Sequence, residues 1–95
     1  MAITVLEYRF SPDNEERLAV RARHRGYLEQ LNRTGHVVAA GPFDDDSGAL
    51  ILYSVFGRDE LDRLLAEDPY VQADVFGERI VRGWRPFIGG TIQTG

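Results

Sequence analysis

Two side chains in this 95-residue chain combine the chemistry to move protons with a distinctive local setting. His24 lies on the apolar stripe of a predicted helix, where Val20 and Leu28 share its face at 3.6 residues per turn. Asp68 precedes Pro69, and because the residue before a proline is disfavoured in the helical region, its carboxylate lies at a break in the backbone. Imidazole and carboxylate groups are general acids and bases near neutral pH. We therefore treat both residues as candidate catalytic groups.

Each of these candidates also has a purely structural interpretation. A histidine on an apolar helix face is often a hydrogen-bonded core residue. Asp followed by Pro is a common N-cap and first-turn pair, so Asp68 could cap a short helix that follows it. The two roles of Asp68 are compatible, because one carboxylate oxygen can accept a backbone amide while the other meets an imidazole.

Three further side chains are candidates for contact with a substrate. Tyr8 and Tyr70 could each place a phenol in a cleft, although a buried tyrosine with its hydroxyl at the rim is the commoner arrangement. Ser54 interrupts the apolar face formed by Leu50 and Phe56. It could touch a ligand, or it could be a small residue that makes room at a dimer interface. We assign all three to substrate binding.

Two arginines on the same predicted helix are candidates for holding an anionic substrate. Arg21 and Arg17 lie about one and two helical turns before His24, where a guanidinium could receive a carboxylate. The alternative is that they are solvated, as exposed helix arginines usually are. We assign Arg21 to substrate binding.

The composition excludes several other kinds of chemistry. The chain has no cysteine, and all 11 of its basic residues are arginine, so thiolate nucleophiles, disulfides and lysine Schiff bases are ruled out. The two histidines, His24 and His36, lie on different predicted elements, which argues against a metal site. The acidic loop Asp44-Asp45-Asp46 lacks the spacing of an EF-hand and is typical of a solvated hairpin. We expect neither a metal nor a cofactor.

Length and charge indicate the class of protein. Ninety-five residues form one domain, which we place at 1–88, followed by a flexible tail at 89–95. The formal net charge of -4 and the scattered arginines argue against nucleic-acid binding. No apolar run reaches the ~20 residues that cross a bilayer, and the first residues lack a signal-peptide pattern. We expect a cytoplasmic protein that binds no membrane.

Hydrophobic periodicity and turn residues predict the element order βαββαβ. The predicted strands are 2–10, 36–40, 49–56 and 78–87, and the predicted helices are 13–33 and 58–67, with a short continuation over 70–76. This order favours an α+β fold, the ferredoxin-like sandwich, with one antiparallel sheet and both helices on one side. Strands one and three are apolar on both faces, so the face without helices also needs cover. We therefore expect a homodimer in which two sheets pack face to face.

Several short motifs occur in a characteristic order. They are Arg23-His24-Arg25-Gly26-Tyr27-Leu28 with Leu31, then Gly35, Ala40-Gly41-Pro42-Phe43, Gly48 and Asp68-Pro69-Tyr70-Val71. In this order they resemble the YCII-related (YciI-like) family of small bacterial proteins. The resemblance implies a dimeric α+β barrel built on the ferredoxin-like fold, and a histidine and aspartate paired in a cleft, which map to His24 and Asp68. The sequence departs from the pattern at Gln72 and Asp74, where smaller or apolar residues are expected.

Three hypotheses for function follow from these observations. The first is a cofactor-free enzyme in which His24, oriented by Asp68, transfers a proton in a lyase, isomerase or hydrolase reaction on a small unsaturated organic acid. The second is a non-catalytic dimeric module that binds a metabolite or has an accessory role, in which the pair is structural. The third is a cofactor-free monooxygenase, which would require a large aromatic substrate pocket.

Overall fold

The computed structural model describes residues 2–11 and 13–89. Four strands and three helices follow in the order β1 (Ala2–Arg9), α1 (Glu15–Arg33), β2 (Val37–Pro42), β3 (Gly48–Val55), α2 (Arg58–Ala66), α3 (Pro69–Gln72) and β4 (Arg79–Trp84). None of the helices in this part of the chain has the length and apolar character needed to span a membrane. The predicted tail at 89–95 lies, apart from Gly89, outside the described residues.

The four strands form a single sheet in the order β2-β3-β1-β4, and every neighbouring pair is antiparallel. Leu6 lies at the centre of the sheet, opposite Ile51 on β3 and Val81 on β4. One face of the sheet packs against the helices to form the core. The residues of that core from the helices are Val20, Leu28, Leu31, Leu61, Leu65 and Tyr70. The predicted ferredoxin-like α+β fold is therefore confirmed.

Helix α1 owes its start and its end to capping residues. The side chain of Asn14 accepts a hydrogen bond from the Arg17 amide at 3.0 Å, and acidic residues fill the first turn, where the positive end of the helix dipole favours them. After Arg33, the backbone leaves the helix through Gly35, which adopts φ 86°. That left-handed conformation favours glycine, because glycine has no Cβ to clash with the backbone.

The structure changes the predicted bounds of several segments. Strand β2 begins one residue later than predicted and continues to Pro42, and β4 ends at Trp84, two residues before Pro86. The segment after Pro69 forms one short helix, α3, and not the two predicted turns. It ends because Asp74 takes φ 54°, a left-handed conformation that aspartate tolerates better than most residues.

The sheet face opposite the helices is largely apolar. On that face, Val5 of β1 lies between Leu52 of β3 and Arg82 of β4. In the next row along the strands, Ile3 lies between Ser54 and Trp84. Trp84 is 42% exposed and Phe56, just beyond β3, is 80% exposed. No helix in the described part of the chain covers this face, as the strand pattern predicted.

Gly48 supplies a first test of the packing between β1 and β3. It starts β3, and a Cβ there would clash with the backbone oxygen of Tyr8, whereas a Cβ on Gly26 in α1 would meet nothing within 4 Å. We expect Gly48→Ala to lower the free energy of unfolding by about 1–3 kcal/mol, as overpacked sites do. The matched change Gly26→Ala should raise it by about 0.5–1 kcal/mol, because alanine is the better helix former. Urea unfolding measures both, and equal stability of the two variants would contradict the register described here.

Tyr53 supplies a second test, because it is fully buried and its hydroxyl has no hydrogen-bond partner among the described residues. Burial raises the pKa of its phenol above the ordinary value of 10.0, and the nearby Asp68 carboxylate raises it further. The unfolded chain then ionises first, so the stability from this group is complete below pH 10 and falls as the pH rises further. We expect Tyr53→Phe to change the free energy of unfolding at pH 7 by no more than about 1 kcal/mol. The variant should also lose less stability than the natural chain between pH 9 and 11. A large loss at pH 7 would show that the hydroxyl is bonded.

Candidate active site

The structure brings His24 and Asp68 into direct contact, although 44 residues separate them in the chain. His24 Nδ1 lies 2.7 Å from Asp68 Oδ1. Both side chains are buried, His24 with 3% of its surface exposed and Asp68 with none. The carboxylate oxygen can only accept, so the imidazole carries a proton on Nδ1 and donates it to Asp68. Nε2 is then the ring nitrogen available for proton transfer.

Asp68 is positioned by the backbone break that precedes Pro69. It caps α3 with an extended backbone (φ -71°, ψ 126°), and its Oδ1 accepts the Tyr70 amide at 2.9 Å. The same oxygen therefore receives both the helix cap and the imidazole. Asp68 Oδ2 is also buried and has no hydrogen-bond partner in the described part of the chain. One carboxylate oxygen thus ties α1 to the start of α3.

The second nitrogen of the imidazole faces a phenol. Tyr8, on β1, places its hydroxyl 3.2 Å from His24 Nε2. Burial raises the pKa of Tyr8, and the neighbouring Tyr70 and Asp68 raise it further, so the phenol stays protonated at neutral pH. When the imidazole is neutral, Tyr8 donates its hydroxyl hydrogen to Nε2. The result is a chain of hydrogen bonds from Tyr8 through His24 to Asp68.

Aromatic rings hold the imidazole in place. The His24 ring stacks on the Tyr70 ring at a centroid distance of 3.7 Å and an interplanar angle of 5°. Phe76 meets His24 edge-on at 6.2 Å and contacts Tyr8 at 4.5 Å. Since rings packed on several sides leave few alternative rotamers, His24 is pre-oriented toward Asp68 and Tyr8.

Arg17 is a buried member of this site that the predicted stripe did not include. Only 5% of its surface is exposed. It donates from a terminal nitrogen to the Tyr70 hydroxyl at 3.5 Å, and its guanidinium lies 3.7 Å above the Phe10 ring. The prediction started the buried stripe at Val20. Extending the same helical spacing back by three residues would have identified Arg17 as an inward-facing cation.

A cleft with a volume of about 720 Å³ opens beside this cluster, between α1 and the β2 side of the sheet. Its inner residues are Tyr8, His24 and Tyr70. Its charged residues are Arg17, Arg21, Arg25, Arg33, Glu29 and Asp46. The cleft therefore carries four cations and two anions, although the whole chain has a net charge of -4.

The structure brings most of the predicted site residues together. His24, Tyr8, Tyr70 and Arg21 all line the cleft, and Asp68 lies directly behind His24. Ser54 is the exception. It faces the opposite side of the sheet, opposite Ile3, and it does not line the cleft. Strand alternation explains this, because Tyr53 and Val55 on either side of Ser54 face the helices.

The residues that depart from the motif pattern lie outside the cleft. Gln72 and Asp74 are both exposed, and neither lines the cleft. His36 is also separate from the cluster and pairs with the Thr34 hydroxyl at 2.8 Å. Within the described residues, no group of three His, Asp or Glu side chains is arranged to hold a metal ion.

Comparison with known proteins agrees with this architecture. A solved structure of 5-chloro-2-hydroxyhydroquinone dehydrochlorinase (TftG) from Burkholderia phenoliruptrix, in complex with 2,5-dihydroxybenzoquinone, superposes with a TM-score of 0.73. The two sequences are 24% identical, and the match covers 87% of this chain and 93% of the other. This likeness shows a shared fold.

Two sequence comparisons identify the family. An uncharacterized protein of Haemophilus influenzae is 31% identical, over 75% of this chain and 83% of its own length. The family model of the YCII-related domain matches residues 1–85. The chain therefore belongs to the YCII-related family.

Proposed function

We propose that this protein is a cofactor-free enzyme that uses His24 as a general base and acid on a small unsaturated organic acid. The observation that carries the proposal is the 2.7 Å contact between His24 Nδ1 and Asp68 Oδ1. It fixes the tautomer, leaves Nε2 as the nitrogen that can take a proton and stabilises the imidazolium that then forms. In this proposal Asp68 orients His24 and does not itself exchange a proton with the substrate.

The proposed step is a proton transfer at carbon. Nε2 of neutral His24 takes a proton from a carbon next to an electron-withdrawing group, and the electron pair of that bond forms a double bond. In an elimination the pair expels a leaving group from the adjacent carbon, and in an isomerisation the imidazolium returns the proton at another carbon. When a substrate enters, the Tyr8 hydroxyl turns from Nε2 to a substrate oxygen and stabilises its developing charge.

The structural neighbour guides the choice of reaction. TftG is by its name a dehydrochlorinase, an enzyme that removes hydrogen chloride, and its solved complex contains a quinone. This supports an elimination, and therefore the lyase class, as the first reaction to test. Tyr70 and Arg21, which line the same cleft, are the proposed contacts for the substrate, and Ser54 is left out because it faces the other side of the sheet.

A second candidate function is a non-catalytic module that binds a metabolite. The observation in its favour is the deep burial of the pair, since Asp68 has no exposed surface and already caps α3. In that case the pair would hold α1 and α3 together. The cleft would bind its ligand without changing it.

We further propose that two copies associate through the apolar sheet face, on which the small Ser54 is already buried in the single chain. Phe56 and Trp84 lie in water in the single chain, and covering them with a second copy would remove apolar surface from water. For its location we propose the cytoplasm, because the cysteine-free chain has no disulfide of the kind that small secreted domains rely on.

His24→Asn tests the catalytic proposal. The asparagine amide can still donate to Asp68, so the pair keeps a hydrogen bond, but the residue cannot accept and return a proton. With chlorinated hydroxyquinols and small unsaturated acids as substrates, we expect turnover to fall by about 10²- to 10⁴-fold. His36→Asn is the matched control, because it changes the other histidine away from the cleft, and it should keep full activity. A folded His24→Asn protein with undiminished turnover would exclude the assignment.

Leu52→Asp tests the proposed dimer. Leu52 lies in the middle of the apolar sheet face, opposite Val5, so a carboxylate there would be desolvated in a face-to-face pair of sheets. We expect sedimentation velocity to show a dimer for the natural chain and a monomer for the variant. Leu18→Asp, on the exposed side of α1, adds the same charge and should leave the dimer intact. A natural chain that sediments as a monomer at tens of micromolar would refute this proposal.

A further inference from the structure

The wall of the cleft formed by α1 carries a row of arginines at regular spacing. Arg17, Arg21 and Arg25 follow one another at intervals of four residues, so they lie along one side of the helix, and all three line the cleft. Arg21 and Arg25 are exposed to solvent, whereas Arg17 is buried at the inner end. Arg23, between them in sequence, is exposed but does not line the cleft.

This row runs past His24. Arg21 precedes His24 by three residues, which is about 4.5 Å of rise along the helix axis, and Arg25 follows it directly. The charges of Arg17 and Arg25 both act on the Tyr8 hydroxyl, since each lowers the pKa of Tyr8 against the larger effect of burial. The positive charges of Arg17 and Arg25 therefore act on the same hydroxyl that meets His24 Nε2.

The opposite wall of the cleft is apolar. It is formed by residues of the sheet, and Leu28 of α1 adds an apolar side chain beside it; the sheet residues are Val37, Ala39, Ala40, Ala49 and Ile51. A volume of about 720 Å³ lies within the 300–1,000 Å³ that proteins use for drug-sized ligands. It exceeds what an acid of a few carbon atoms fills. The site thus combines a row of three arginines, followed one turn later by Glu29, along one wall with a broad apolar surface along the other.

We propose that the cleft binds an amphipathic organic anion of the size of one or two aromatic rings, with its carboxylate or phenolate on Arg21 and Arg25. Its apolar body lies against the Leu28, Val37 and Ile51 wall. Because both arginines lie within one helical turn of His24, the carbon that reacts is within a few bonds of the anionic group. This inference rests on the proposed function for its reacting carbon, but the binding site itself does not require catalysis.

A pair of matched ligands tests the inference by equilibrium binding. The probes are 2-naphthoate and 2-naphthamide, which share the same rings and differ in charge. Titration calorimetry should show that the carboxylate binds the natural chain at least tenfold more tightly than the amide. Arg21→Ala and Arg25→Ala should each weaken the binding of 2-naphthoate about tenfold and leave the binding of 2-naphthamide unchanged. Fumarate, which has two carboxylates but no ring, should bind more weakly than 2-naphthoate.

Two control variants separate this site from the catalytic proposal. Arg23→Ala removes the same charge from the same helix outside the cleft, and it should leave 2-naphthoate binding unchanged. His24→Asn should keep that binding even where turnover is lost, so a failure of catalysis does not imply a failure of this site. Equal affinity for the two naphthalene probes would overturn the proposal. An Arg23→Ala effect as large as that of Arg25→Ala would also overturn it, because it would indicate only a general attraction of charge.

Discussion

The site depends on one buried carboxylate oxygen. Asp68 Oδ1 accepts both the amide that begins α3 and the proton on His24 Nδ1, so it joins α1 to the turn after α2. A carboxylate without exposed surface is stable only when its charge meets donors, and these two donors come from elements far apart in the chain. The fold must therefore close correctly for Asp68 Oδ1 to receive both donors. The chemistry of the site and the packing of the helices rest on the same contact.

The side chains around this contact fix the orientation of the His24–Asp68 pair. Tyr70 follows the proline turn and places its ring flat against the imidazole, while Tyr8 enters from the sheet to meet the other nitrogen. Arg17 donates to the Tyr70 hydroxyl and brings a positive charge against the Phe10 ring. Because each ring is packed against another, the imidazole has little freedom to turn away from Asp68.

The two faces of the central strands β1 and β3 have different roles. One face of β1 and β3 packs Leu6, Tyr8, Ile51 and Tyr53 against the helices, and Tyr8 and Ile51 also line the cleft. The alternate residues form the apolar surface that we propose a second copy covers. Successive side chains of a strand point to opposite faces of the sheet. A substitution at one position therefore affects the site, while a substitution at the next position affects the opposite face. Ser54 illustrates this, since it lies next to core residues and yet is remote from the cleft.

The order of the elements, the helical face of His24 and the break at Asp68 could be predicted from the sequence, because they follow from local periodicity and from the conformational limits of proline. The resemblance to a family, and not any spacing, indicated that these two residues meet. The burial of Arg17 and the packing of Phe10 and Phe76 around the site were not predicted, because contacts between α1, the end of β1 and the segment after α3 depend on how distant elements pack. The length of α3 was also overestimated, since the left-handed Asp74 that ends it has no strong local signal. Local chemistry thus determined the elements and the candidate groups, while only tertiary packing, which brings a distant imidazole to a buried carboxylate, decided the site.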